Sequence, residues 1–177
     1  MKDKNKMSMT IYIPFYYGEQ FIYNALDSIV SQDIGNVRVK ILYQDGKNSF
    51  EDLKHGIKFK NAEIIDTSFA KSIGENWNIA LKDNDSNEFF MIMHQDDILL
   101  KNYCSEMINF LKANPDFDMA YCDNWTIDSK SRISFYWLDV IKRIFRIKVM
   151  TWKNIKRIMF PIITCPTMCF RRSSLKG

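Results

Sequence analysis

Two adjacent carboxylates, Asp96 and Asp97, close an apolar run at residues 88–93 (EFFMIM) and are preceded by His94 and Gln95. Paired oxygen ligands at the end of a buried strand suit a hard divalent cation, which could bridge them to a diphosphate. Read alone, the same pair also suits the N-cap of a following helix. Polar groups end two earlier apolar runs in the same way. Residues 9–15 (MTIYIPF) lead into Tyr16, Tyr17, Gly18 and Glu19, and residues 37–43 (VRVKILY) into Gln44, Asp45 and Gly46. In an open parallel sheet, ligands bind at the carboxyl ends of the strands, so these turns would share one crevice. No G-x-G-x-x-G follows the first run and no G-x-x-x-x-G-K-[ST] occurs, which disfavours dinucleotide-binding dehydrogenases and P-loop enzymes.

The elements that must position these groups alternate in the manner of βαβ units. Residues 19–32 place Phe21, Ile22, Ala25, Leu26, Ile29 and Val30 on one helical stripe. Phe50, Leu53 and Ile57 predict a short helix, and residues 63–66 a short strand. Ile73, Trp77, Ala80 and Leu81 space a third helix; Tyr103, Met107, Phe110 and Leu111 a fourth, closed by Asn114 and Pro115. Residues 118–123 (DMAYCD) read as a strand. The sum is an α/β sandwich with a mostly parallel sheet. From 134 to 160 apolar and basic residues mix over two helical pieces broken near 150–151, and residues 161–172 read as a strand interrupted by Pro166. The organisation expected is a core over 1–125 and a variable, basic helical segment over 126–177 of the same domain.

The 177 residues are 46% hydrophobic and 26% charged, which excludes disordered and fibrous classes. The net charge of +4 is local: Lys142, Arg143, Arg146, Lys148, Lys153, Lys156 and Arg157 lie in a stretch without an acidic residue, and the remainder is mildly acidic. A nucleic-acid partner is therefore not expected. The segment 136–158, with Trp137, Ile141, Phe145 and Trp152 among its cations, could instead lie on an anionic membrane surface or be a solvated helical cover. The first nine residues (MKDKNKMSM) lack the apolar core of a secretion signal and no apolar run reaches eighteen residues, so the expected location is cytoplasmic, with membrane contact at the inner face. Cys104, Cys122, Cys165 and Cys169 lack zinc-site spacing and are expected as reduced, mostly buried thiols.

Taken together, Pro14-Phe15-Tyr16-Tyr17-Gly18-Glu19, Gln44-Asp45-Gly46, Asn76-Trp77-Asn78 and His94-Gln95-Asp96-Asp97 stand in the order and spacing of family 2 glycosyltransferases of the GT-A fold. That family typically reads P-x-Y-N-G-E, D-D-G, N-W-N or A-R-N, and D-x-D-D or H-Q-D-D at these places. The resemblance spans residues 9–125 well and extends weakly to Arg172. It implies that Pro14, Tyr16 and Glu19 touch the nucleotide, that Asp45 hydrogen-bonds the base, and that Asn76 and Asn78 lie near the ribose or diphosphate, with Trp77 packing. Asp96 and Asp97 match the DXD motif: Asp97 would take Mg²⁺ or Mn²⁺, with Asp96 approaching the ribose or sugar and contributing to the metal site. His94 replaces the first Asp of the commoner form, and a structural role suits it as well; His55 is read as structural. Gln44 and Tyr17 depart from the usual Asp and Asn, which leaves the base preference open, because an amide donates as well as accepts.

The implied activity is inverting transfer of a sugar from a nucleoside diphosphate, UDP favoured, to a hydroxyl of a glycan or lipid-linked acceptor, in bacterial capsule or lipopolysaccharide assembly. The family's general base sits in an acidic motif soon after a strand like 161–172. This sequence has no acidic residue after Asp139, so the base is expected beyond Gly177, with Asp123 or Asp128 as substitutes. Two other readings stand beside it: a non-catalytic nucleotide-sugar or membrane-surface module, and a sugar nucleotidyltransferase, which would be expected to carry a glycine-rich basic loop where Tyr16-Tyr17-Gly18-Glu19 stands.

Overall fold

Along the first strand, β1 (Ser8–Tyr16), Met9, Thr10, Ile11, Tyr12, Ile13 and Phe15 are all fully buried, the pattern of a parallel strand covered on both faces. The computed structural model describes residues 7–47, 50–57, 59–137, 139–140 and 165–175. After β1 come α1 (Glu19–Val30), β2 (Asn36–Asp45), α2 (Phe50–Gly56), β3 (Ala62–Asp66), α3 (Ile73–Lys82), β4 (Phe89–Ile92), α4 (Tyr103–Ala113), β5 (Met119–Tyr121) and β6 (Met168–Arg171). The sheet order is β3-β2-β1-β4-β6-β5, parallel from β3 to β4, with β6 antiparallel to both β4 and β5. This is the α/β arrangement expected, with one reversed strand inserted near its edge.

Alternation along the strands divides the core. Ile11, Ile13, Phe15, Val39, Ile41 and Met91 meet α1, α2 and α4 on one face, whereas Tyr12, Leu42, Phe90 and Ile92 meet α3 on the other. On α1 the stripe Ile22, Ala25, Leu26 and Ile29 is buried, but Val30 is 59% exposed and the helix stops there. Gln32, just beyond, uses its amide instead: Nε2 donates to the Ser28 and Leu100 carbonyls and Oε1 accepts the Cys104 N–H, tying α1 to α4. Pro14 does not stop β1. The Tyr12 carbonyl accepts from Met93, so residues 12, 14 and 16 turn their backbone groups to the β4 side, and β4 ends opposite Tyr12. The missing N–H of Pro14 therefore costs no ladder bond to β2, and pairing continues to Tyr16. Pro166, expected to interrupt a strand, lies in a 3₁₀ turn (Cys165–Thr167) leading into β6. The two helical pieces expected over 134–160 fall mostly outside the described residues, as do 161–164 of the last strand.

A polar network lies toward the amino ends of the strands, away from the turns singled out above. Asp85, its side chain fully buried, accepts from Thr10 Oγ1 and the Asn87 N–H at 2.9 Å and from Arg38 at 2.7 Å, with Lys40 Nζ 3.2 Å away. Burial alone would raise its pKa, but these donors hold the carboxyl well below the usual range. Burial likewise opposes the Lys40 charge, and contacts with Asp83 and Asp85 outweigh it. Buried Arg172 stacks on Phe90, with 4.5 Å from guanidinium to ring centroid, and donates to the Asn87 and Asp83 carbonyls and to Tyr12 Oη. It thereby fastens the end of β6 to β1 and β4. Cys104 and Cys169 are buried free thiols, and burial pushes Cys104 up to about 12; Cys122 is half-buried.

Candidate functional site

The turns after β1, β2 and β4 meet at the carboxyl edge of the sheet, the place the topology predicts. After β2, pairing with β1 slips: Phe15 stands opposite Tyr43, and Tyr16 opposite Asp45, so Gln44 bulges out of the ladder. The bulge separates the two residues of the acidic turn. Gln44 Nε2 donates to the Ala70 carbonyl at 2.6 Å, bracing the loop before α3, while Asp45 is exposed. Asp45 Oδ2 accepts from Tyr17 Oη at 3.0 Å and Oδ1 from the Gly46 N–H at 2.8 Å, and the Tyr17 N–H donates to the Asp45 carbonyl. Tyr17 has φ +50°, in the left-handed region where Asn is much easier than Tyr. The Asn usual at this place thus has a backbone reason. Tyr16 and Tyr17 are both exposed and meet edge to face at 4.8 Å between centroids. Glu19, in the first turn of α1, accepts the Lys47 N–H and so pins the turn that carries Asp45. Pro14 is half-buried at the floor of this corner.

On α3 the two asparagines part company. Two residues along a helix turn about 200°, so they occupy opposite faces. Asn76 is buried, its Nδ2 3.4 Å from the Leu42 carbonyl, and its Oδ1 has no hydrogen-bond partner among the described residues; Asn78 is exposed. Trp77, between them, is half-buried and lies against the His94 ring, with 5.8 Å between centroids and 31° between planes.

Beyond β4 the chain turns tightly, with the Asp97 N–H donating to the His94 carbonyl at 3.3 Å. The turn brings one donor atom from each of His94, Asp96 and Asp97 within 4.8 Å of one another. His94 Nδ1 is 3.6 Å from Asp97 Oδ2, beyond hydrogen-bonding distance. Asp97 Oδ2 and His94 Nε2 are buried and have no hydrogen-bond partner among the described residues. Burial pushes the Asp97 carboxyl above its ordinary range, opposed by His94 and reinforced by Asp96. An imidazole and two carboxylates offering donor atoms within 4.8 Å of one another fit a divalent cation, with His94 joining the two carboxylates named from the sequence.

Gln95 had no role in the sequence reading. Its carboxamide accepts the Tyr16 N–H at 2.9 Å and returns a hydrogen bond to the Tyr16 carbonyl at 2.8 Å, standing in for the neighbouring strand that β4 no longer provides. A side chain in the turn after β4 therefore holds the turn after β1. Its only sequence signal is its place between His94 and Asp96.

A family model described as glycosyl transferase family 2 matches residues 10–176. The chain belongs to that family. Among solved structures, this family 2 chain resembles S. aureus TarS 1–349, at 19% identity and TM-score 0.65, over 96% of this chain and 48% of that one. The same protein in complex with UDP gives 17% and 0.66, with the same coverage. The mannosyltransferase PcManGT from Pyrobaculum calidifontis, in complex with GDP-Man and Mn²⁺, gives 16% and 0.64 over 95% of this chain and 45% of that one. These likenesses show the fold, that of GT-A glycosyltransferases, and the chain spans about half the length of those proteins. No curated protein matches.

Proposed function

We propose that the site binds a nucleoside diphosphate sugar and serves its transfer to an acceptor hydroxyl with inversion at the anomeric carbon. The observation that carries this reading is the meeting, at one sheet edge, of an exposed aromatic and acidic corner (Tyr16, Tyr17, Asp45) with the His94-Asp96-Asp97 turn. The corner offers ring faces to a base and a carboxylate to its N–H donors or to a ribose hydroxyl. Asp97 and Asp96, with His94, would hold Mg²⁺ or Mn²⁺, which when bound supplies Lewis-acid stabilisation of charge on the leaving diphosphate. Pro14 and Glu19 shape the nucleotide corner, and exposed Asn78 is available to the diphosphate or ribose. Buried Asn76 acts from beneath through the end of β2. The protein's part is then to orient donor and acceptor and to present preorganised charge to the departing group.

Family membership and neighbours solved with UDP or with GDP-Man and Mn²⁺ support this reading. Asp128 does not suit the proton-accepting role, since both its oxygens are committed to the backbone and side chain of Arg132 and to the Lys130 N–H. The acceptor proposed is a glycan or lipid-linked hydroxyl of a bacterial surface polysaccharide, a role supported by the family resemblance. Peripheral contact at the inner membrane face through 136–158 is part of the proposal; Tyr136 and Trp137 are exposed at its start, and its residues from 141 on lie outside those described. No helix among the described residues is long and apolar enough to cross a membrane.

The test is a thermal-shift series with uridine, guanosine, thymidine and cytidine diphosphates, with and without Mn²⁺, on the chain and on Asp97→Ala. A ligand at a hundred times its Kd adds about 2.7 kcal/mol of stability. Metal-dependent stabilisation by one diphosphate, lost in the variant, is the expected result. Absence of stabilisation by any of them in the folded chain would overturn the reading.

A further inference from the structure

We propose that Gln95 is a positioning residue whose bidentate contact with the Tyr16 backbone fixes the nucleotide corner against the cation turn, and that Gly18 is glycine in order to leave room for it. The proposal rests on the donor-site reading above for the identity of the ligand, and on geometry alone for the contact.

The contact replaces a missing strand. Past Tyr12, β1 has no strand partner on its β4 side among the described residues, because β4 ends at Ile92 and the chain turns away at His94. Tyr16 faces that side, and the Gln95 carboxamide, at 2.9 and 2.8 Å, satisfies both its N–H and its carbonyl. An amide is the side-chain group that can donate and accept at once in this spacing; a carboxylate would place a negative oxygen against the Tyr16 carbonyl.

Gly18 supplies the second, independent observation. Its φ of −115° is open to any residue, so backbone freedom does not explain it. A Cβ built there would overlap Gln95 Cδ, Oε1 and Nε2, the three atoms nearest to it. The obstacle is the far end of one flexible side chain, so a methyl group at position 18 would be accommodated by expelling the carboxamide from Tyr16. Gly18 and Gln95 therefore specify one contact from two loops. On one side that contact holds the exposed rings of Tyr16 and Tyr17, and through Tyr17 it reaches Asp45; on the other side it is flanked in sequence by His94 and Asp96. Opening it would let the nucleotide corner sample other positions, lowering the fraction of molecules competent to bind.

The experiment is a double-mutant cycle on Gly18→Ala, Gln95→Ala and the pair, read by thermal midpoint and by calorimetric affinity for the four nucleoside diphosphates in the presence of Mn²⁺, at a temperature where every variant is folded. Each single change should lower the midpoint by roughly 3–6 °C, the worth of two partly exposed hydrogen bonds. The double variant should fall no further than Gln95→Ala, because the methyl group then has nothing to expel. For the diphosphate that the unsubstituted chain binds, each single variant should bind about tenfold more weakly. Gln95→Glu should behave like Gln95→Ala and not as a rescue, because it cannot donate. Additive midpoint losses would overturn the contact itself. Equal diphosphate affinity in Gln95→Ala and the unsubstituted chain would overturn the positioning role while leaving the donor site standing. If the unsubstituted chain binds none of the four, the donor-site reading fails and the positioning role with it, and the midpoint cycle still reports whether the contact exists.

Discussion

Replacing Asp85 with alanine removes the acceptor on which the polar network beneath α3 converges. The Asn87 N–H and Thr10 hydroxyl, both buried, lose acceptors at 2.9 Å, and each orphaned donor costs about 1–3 kcal/mol. Lys40, whose side chain is 12% exposed, keeps Asp83 at 2.5 Å, and Arg38, 42% exposed, turns to water, so these two lose less. Relief of the carboxylate's own desolvation offsets part of the sum, leaving a net loss of about 3 kcal/mol. For a chain of this size that is a fall in Tm of roughly 6–12 °C. The pH dependence has a definite sign. The native pKa of Asp85 is depressed, so its contribution is complete above the unfolded value of about 3.9 and is lost as pH falls through the native value. Thermal melts of both proteins between pH 7 and pH 2 should show the gap in Tm widest at pH 5–7 and closing toward pH 2. A gap under about 2 °C at pH 7, or one that does not change with pH, would refute the reasoning.

Arg172→Ala should cost about 2–4 kcal/mol in urea unfolding and raise amide hydrogen exchange in β6, because its donors bind the Asn87 and Asp83 carbonyls and its plane covers Phe90; unchanged exchange there would separate Arg172 from β6. Tyr17→Asn should raise Tm by about 1–3 °C, since relief at φ +50° exceeds the loss of an exposed hydrogen bond to Asp45; a lower Tm would show that the phenol contact dominates. Cys104 and Cys169, buried and with raised pKa, should resist iodoacetamide at pH 8 in the native chain and label only on unfolding, as mass mapping would reveal.

The parts of the fold legible in the sequence are those set by local periodicity: the order of strands and helices through β5, and the apolar stripe of α1. What was not legible depends on partners far along the chain. Val37 to Ile41 alternates apolar and basic residues like a half-exposed strand, yet Lys40 is covered by Asp83 and Asp85, more than forty residues on. Likewise, nothing in MCFR says that it reverses and enters between β4 and β5, a place chosen by Phe90 opposite Phe170 and fastened by Arg172. In the site, the meeting of the turn after β4 with the exposed Asp45 at one sheet edge followed from strand ends. The bulge that turns Gln44 away to Ala70 did not, nor did the separation of Asn76 from Asn78 into buried and exposed faces. Gln95 escaped notice because its work is done on a backbone 79 residues earlier, and Gly18 because a glycine in a turn suggests conformational freedom before it suggests space.

The central claim is that the turn after β4 holds a divalent cation jointly with a nucleoside diphosphate. The most direct measurement is the free Mn²⁺ concentration by electron paramagnetic resonance, titrated into the chain and into Asp97→Asn, with and without the diphosphate that stabilises it. The account predicts Mn²⁺ binding that tightens at least about tenfold with the diphosphate in the unsubstituted chain, a coupling of about 1.4 kcal/mol or more, and vanishes in Asp97→Asn. Equal Mn²⁺ affinity in the two proteins, or no effect of any diphosphate, would contradict it.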